Sequence, residues 1–354
     1  MRKLLLGGLG ICALLLAAGR LGHAQSPEEF YRGKTVKFIV GSNTGGSYDT
    51  YSRLLAQFMG RHIPGNPTLV VENMPGASGV KSAQYIGEIA PKDGSVFGMF
   101  NQSMPQRQMF EPDQVQFDLS KFSWIGAMNT STTVFITWHA SGVKTLEDAK
   151  KKEVVMGALS ATGGNSVYPL LINAFLGTKF KVVLGYQGGN TIQLAMERGE
   201  VDGRAAVVWS GLKAGWPHWI AEKKINVLLQ TGLTKEKDLP EVPLLLDLAK
   251  TPEEKAIFRF VSSDSAIGFP VTAPPGIPAE RLAALRKAFS DTMNDPEFVK
   301  FAVERKLEVE PSSGEEVKKV VEDLISTPKD VIAKIKKGLA EAEAQAAASA
   351  KTKQ

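Results

Sequence analysis

Four glycine-bearing loops hold the residues whose types and spacing bear on chemistry. The first, Gly41-Ser42-Asn43-Thr44-Gly45-Gly46-Ser47-Tyr48-Asp49, sets two adjacent glycines directly ahead of a helical pattern. Paired glycines let the backbone turn sharply and aim several N–H groups at one point. The helix start that follows adds partial positive charge. Such a loop suits a carboxylate or phosphate, and Ser42, Asn43, Thr44, Gly45 and Gly46 are its candidate ligand contacts. A plain strand-to-helix turn would read the same way in isolation. The same design recurs in Glu72-Asn73-Met74-Pro75-Gly76-Ala77-Ser78-Gly79, with Ala77 and Ser78 as candidates. It recurs again in Ser160-Ala161-Thr162-Gly163-Gly164-Asn165, with Thr162, Gly163 and Asn165, and in Tyr186-Gln187-Gly188-Gly189-Asn190, with Tyr186 and Gly189. Asn101 and Gln102, immediately past the third predicted strand, join them. Ligands of open α/β sheets bind beyond the carboxyl ends of the strands, which is where all of these residues fall.

Other residue arrangements have plainer structural roles open to them. Arg204 lies two residues after Asp202 on one strand face. Its planar fork would hold a distal ligand carboxylate, or else pair structurally with Asp202. Trp209, Trp216 and Trp219 fit packing better than an aromatic ligand site. Ser78 and Lys81 match the S-x-x-K pattern of penicillin-recognising enzymes, but no Ser-Asp-Asn or Lys-Thr-Gly partner motif is present. An exported serine hydrolase using that pair therefore stands as an alternative function. Gly33-Lys34-Thr35 lacks the earlier glycine of a phosphate-binding loop and precedes a strand, the wrong order. His62, His139 and His218 show no metal-ligand or triad spacing. No metal and no cofactor are expected.

The elements that must position the loops alternate. Val36–Val40, Leu69–Val71 and Ser95–Phe100 read as strands. Between them fall a helix with Tyr51, Leu54, Leu55, Phe58 and Met59 on one face, capped by Asp49 and stopped by Gly60, and a second helix over Ser78–Ile89. The pattern repeats with strands at Val154–Ala158, Phe180–Leu184, Val201–Val208 and Ile225–Leu229. Its helices span Ser166–Leu176, capped by Asn165 with Pro169 in the first turn, and Thr191–Arg198. This β-α-β order predicts an α/β class with parallel sheets covered by helices, in two lobes. Thr132–Trp138 and Ala266–Thr272 are the expected crossing strands. After Pro278 the chain reads as helical, with Leu282, Leu285 and Phe289 on one face and Phe298, Phe301 and Ala302 on another.

The chain has 354 residues, of which 43% are hydrophobic and 22% charged, the profile of an ordinary globular protein. Arg2 and Lys3, the apolar run Leu4–Ala18 and the small residues before Gln25 read as a cleavable signal peptide over residues 1–24. Its removal lowers the formal charge of +5 by three, so the basic balance is weak support for nucleic-acid binding and none is expected. It also removes the single cysteine, Cys12, and with it any thiol chemistry. We place the first lobe at residues 25–130 and 251–326, the second at 131–250, and a helical or disordered tail at 327–354, the mature protein acting as a monomer.

The motifs in order resemble the periplasmic binding proteins of tripartite tricarboxylate transporters, the Bug family. The resemblance runs from about Phe30 to Val320. It lies in Tyr31-Arg32-Gly33-Lys34-Thr35-Val36, Gly45-Gly46-Ser47-Tyr48-Asp49, Glu72-Asn73-Met74-Pro75-Gly76-Ala77 and Pro91-Lys92-Asp93-Gly94. It continues through Tyr186-Gln187-Gly188-Gly189, Gly199-Glu200-Val201-Asp202, Leu239-Pro240-Glu241-Val242-Pro243 and Ala273-Pro274-Pro275-Gly276-Ile277-Pro278. It implies a type II periplasmic binding protein fold, with two α/β lobes, two crossing strands and a cleft that closes by hinge motion. It also implies a small organic acid held largely by backbone amides around Gly45 and Gly46, and delivery to a large and a small integral-membrane subunit. The sequence departs from the family's habit at Thr44, where proline is usual, near Ser42 and Asn43, where proline and aromatic residues are frequent, at Tyr168, often His, and at Gln187, often basic. A sensor feeding a two-component system would use the same scaffold.

Overall fold

The computed structural model describes residues 25–113, 115–161 and 163–352. The expected signal segment and the candidate Thr162 lie outside the described residues.

Two sheets form the frame. The first has strand order β11-β4-β10-β3-β1-β2, from β1 (Thr35–Val40), β2 (Thr68–Asn73), β3 (Val96–Met99), β4 (Ser123–Asn129), β10 (Gly268–Ala273) and β11 (Ser312–Ser313). The second runs β7-β6-β8-β5-β9, from β5 (Thr133–Trp138), β6 (Val154–Gly157), β7 (Phe180–Val183), β8 (Gly203–Val208) and β9 (Ile225–Thr231). In the first, β1 pairs in parallel with β2 and β3; in the second, β6 pairs in parallel with β7 and β8. β10 joins the first sheet antiparallel to β3 and β4, and β5 joins the second antiparallel to β8 and β9. The predicted parallel β-α-β units are therefore present, each with an antiparallel insertion.

Both sheets are covered on two faces, which explains their apolar runs. Phe38, Phe97 and Ile125 enter one core cluster while Ile39, Val96 and Trp124, their chain neighbours, enter another. Phe135 and Val134 divide in the same way in the second lobe. The period of two along a strand puts adjacent side chains on opposite faces.

The crossings differ from expectation. β5 and β10 are full members of their sheets, and the chain passes between lobes just before each of them. The two passages touch, because the Ser131 amide donates to the Ser265 carbonyl at 2.7 Å. Residues 252–262, placed above in the first lobe, form the helix Pro252–Ser262, which buries Ile257, Phe258, Phe260 and Val261 in a second-lobe cluster. The same cluster takes Ile332 and Ile335 from the final helix, Lys329–Thr352, so the start of the expected tail is docked.

Local details also depart from the sequence reading. Helix Ser47–Met59 is capped by Gly46, and Asp49 sits inside its first turn. Helix Gly164–Leu176 is capped by Gly163, so Asn165 is its second residue and Pro169 lies in its interior. The missing Pro169 N–H leaves the helix one bond short there. The expected helix over Ser78–Ile89 is broken: Ala77 and Ser78 hold φ of 45° and 53°, and regular α-helix covers only Val80–Gln84 before a π turn.

Docking of the final helix is testable. Ile335 is fully buried, so Ile335→Ala should cost about 2–4 kcal/mol in urea unfolding. The same truncation at exposed Val303 should cost little. An unchanged midpoint for Ile335→Ala would remove this helix from the core.

Candidate functional site

The loops converge on a cleft of about 490 Å³ between the two sheets. Of the sequence candidates, Ser42, Asn43, Gly45, Gly46, Ala77, Ser78, Asn101 and Gln102 line it from the first lobe, and Gly163, Asn165, Tyr186, Gly189 and Arg204 from the second. Thr44 does not: its hydroxyl turns to Asn73 Oδ1 at 3.3 Å. Asp202 does not either, because its Oδ2 accepts the Val155 amide of β6 at 2.8 Å. The Asp202–Arg204 pair considered from the sequence is therefore absent.

The first loop is built differently from its sequence reading. The Gly45 N–H is already used, donating to Asp49 Oδ2 at 2.9 Å, and the Gly46 N–H donates to the Asn43 carbonyl at 3.4 Å. The amides without an acceptor among the described residues come one step later, at Ser47 and Tyr48, the first two positions of helix Ser47–Met59. Its cap, Gly46, has no side chain to satisfy them. Asp49 braces the turn. It is buried, accepts from Arg53 Nε at 3.0 Å and from Asn73 Nδ2 at 2.8 Å, and Asn73 Nδ2 also donates to the Ser42 carbonyl. Burial works against the Asp49 charge, but the bonds from Arg53, Gly45 and Asn73 outweigh it and hold its carboxyl below the usual range.

The arrangement repeats twice across the cleft. Helix Gly164–Leu176 begins at Gly163 and helix Gly189–Glu197 at Gly188, again with no side-chain cap possible. The amides of Gly164, Asn165, Gly189 and Asn190 donate to no described residue. Three helix starts thus present free N–H groups and the positive ends of their dipoles to one space. Close approach explains the glycines: a Cβ at Gly163 would lie 2.5 Å from Ser78 Oγ, and one at Gly188 would lie 3.1 Å from Asn43 Nδ2. The lobes also meet directly, Ser78 Oγ and Ser160 Oγ being 2.7 Å apart. Ser78 therefore has a hydroxyl partner, and that partner is not Lys81, whose stem runs alongside Gly76.

Several lining residues escaped the sequence reading. Tyr48 accepts the Gln102 amide at 3.1 Å. Trp216, expected in packing, lines the cleft while its ring lies 4.7 Å from that of buried Trp219. Tyr168, noted only as a departure from the family, donates to Asp264 Oδ2 at 2.7 Å. Asp264 is the only acid on the described lining, against the cations Arg204 and Arg305. Its one sequence signal was a polar run, Ser262-Ser263-Asp264-Ser265, just before a crossing segment.

Burial pushes the Asp264 carboxyl up to about 7, against the hydrogen bonds from Tyr168 and the Ser265 amide. Between the ordinary carboxylate value and about 7 the folded state therefore holds a proton that the unfolded chain has lost. The stability tied to this group is complete below the ordinary value and drains away as pH rises to about 7. Asp264→Asn should leave stability near wild type around pH 4 and raise it by up to about 4 kcal/mol around pH 8, followed by thermal unfolding. A variant less stable than wild type at both values would contradict the raised carboxyl.

Comparison with known proteins agrees with this geometry. The model of the tripartite tricarboxylate transporter family receptor matches residues 52–337. Among solved structures the fold is similar to the periplasmic binding protein BugD, at 17% identity over 87% of this chain and 98% of that one, with a TM-score of 0.67. It is similar to an R. palustris protein solved with adipate, at 18% identity over 86% and 97% with a TM-score of 0.66. It is also similar to MatC from Rhodopseudomonas palustris with bound malate, at 17% identity over 84% and 99% with a TM-score of 0.66. Two mixed sheets meeting at a glycine-lined cleft, together with a family match over most of the sequence, place the chain: it belongs to the tripartite tricarboxylate transporter receptor family.

Proposed function

We propose that this receptor captures a small carboxylate solute in the periplasm and passes it to the membrane subunits of a tripartite transporter. The observation that carries the ligand chemistry is the set of six unpaired amides at three glycine-capped helix starts facing one cleft. Unpaired N–H groups at helix starts, gathered in one partly enclosed cleft, favour an anion over a neutral solute. The lining adds two arginines against one acid whose charge burial suppresses. The adipate and malate in the two similar structures fit the same chemistry.

Delivery rests on family membership and on the export signal read at residues 1–24. No helix among the described residues is long and apolar enough to cross a membrane, so the membrane subunits are reached by docking. Among the described residues no cluster of His, Cys, Asp and Glu is suited to a metal, and backbone amides bind without one. We read the protein as a carrier that releases its ligand unchanged. Ser78 spends its hydroxyl on Ser160 and forms no bond to Lys81, which supports that reading over a serine hydrolase.

Calorimetric titration with mono-, di- and tricarboxylates should give one-to-one binding of at least one class, with the ligand recovered intact. A labelled β-lactam should leave Ser78 unmodified. Gly46→Val should keep the fold, since a Cβ there meets nothing closer than the Asn43 carbonyl at 3.6 Å. It should weaken binding about 100-fold or more by blocking approach to the Ser47 and Tyr48 amides. Unchanged affinity in that variant would contradict the site.

A further inference from the structure

Helix amides recognise one carboxylate and say nothing of the rest of the ligand. Arg204 also lines the cleft, from the second lobe. It sits on β8 opposite Ile136 of β5 and reaches the cleft. Its guanidinium lies against Gly189: a Cβ there would come within 2.5 Å of Nη1, 2.7 Å of Nη2 and 2.9 Å of Cζ. Glycine at that position is what gives the planar fork its place beside the start of helix Gly189–Glu197.

The Arg204 side chain forms no hydrogen bond or ion pair with a described residue, and its Nε is enclosed without an acceptor. The nearest acid in sequence, Asp202, is bonded to the Val155 amide. The cleft's acid, Asp264, is bonded to Tyr168. Other enclosed cations are matched: Arg107 faces Glu111, and Lys213 faces Asp238 and Glu308. Arg204 is half-buried, and a cation enclosed in a cleft without an anion is costly, so folds ordinarily supply the partner. Burial lowers the Arg204 guanidinium to about 10, and it remains charged at neutral pH. Its electrostatic neighbour is Tyr48. The Tyr48 hydroxyl oxygen accepts from Gln102, and its proton has no acceptor among the described residues.

We propose that Arg204 is a second anion-reading position, and that the ligand is a small dicarboxylate: the helix amides hold one carboxylate, and the Arg204 fork, with the Tyr48 hydroxyl, holds the other. This rests on the receptor reading above and adds the residue that selects two acidic groups over one. A planar guanidinium meets a carboxylate through two parallel bonds, which an ammonium does not reproduce.

The test titrates succinate, glutarate and adipate against butyrate, valerate and hexanoate, in wild type, Arg204→Met and Arg204→Lys. Wild type should prefer a dicarboxylate over its monocarboxylate counterpart by about 100-fold. Arg204→Met should lose that preference by weakening the dicarboxylate alone, with monocarboxylate affinity within about threefold of wild type, and should melt without ligand no lower than wild type because an unpaired, half-buried charge has gone. Arg204→Lys, which keeps the charge, should retain part of the preference and covers the case in which the methionine variant fails to fold. Equal binding of both ligand classes by wild type, or a preference that survives in Arg204→Met, overturns the role of Arg204 and leaves the receptor reading intact. Failure of wild type to bind any carboxylate overturns both.

Discussion

An α-helix leaves its first amides without partners, and the rest of this structure depends on where those amides are spent. Most helix starts in soluble proteins satisfy them with a serine, threonine or aspartate side chain. This chain does so at several helices away from the cleft: Thr145 caps Leu146–Lys151, Thr251 caps Pro252–Ser262, and Ser313 caps Gly314–Ile325. At Gly46, Gly163 and Gly188 it places glycine, which has no capping side chain. These three starts line the cleft, so their unspent amides are open to a ligand.

The surroundings maintain that choice. Asp49, which would neutralise the amides it faced, is turned back onto Gly45 and held there by Arg53 and Asn73. Left-handed backbone at Ala77, Ser78 and Gly79 shapes the second loop, and the Arg107 guanidinium grips the Ala77 carbonyl. Such conformations cost energy and persist where neighbours enforce them. At the junction of the lobes the two crossing passages are joined by the Ser131–Ser265 bond, with Asp264 beside it. One polar stretch thus forms both the wall of the cleft and the joint about which the lobes are held.

The fold was legible because it depends on patterns that repeat. Apolar runs such as Val36–Val40 and Val154–Gly157, each followed by glycine or small polar residues and then a 3.6-residue period, specify parallel α/β units in one dimension. The loops were legible for the same reason, since strand ends are where such folds bind. What could not be read was direction. Sequence places Gly45 and Gly46 in the binding turn but not which way their N–H groups point, and in the structure they point inward, handing the role to Ser47 and Tyr48. Asp202 and Arg204 share a strand face in one dimension, yet β6 draws Asp202 away through the Val155 amide. Asp264 and Tyr168 are 96 residues apart in the chain and meet only when it folds. Long-range pairing of polar groups leaves no periodic trace.

The central claim is that amides, rather than charged side chains, hold the first carboxylate. A nitrogen-15 amide NMR titration with a bound carboxylate reads it most directly, because hydrogen bonding to an anion moves an amide proton downfield. The account predicts that the largest downfield shifts fall on Ser47, Tyr48, Gly164, Asn165, Gly189 and Asn190 and saturate at one equivalent. Saturable binding that leaves those six amides unmoved while shifting others would contradict it.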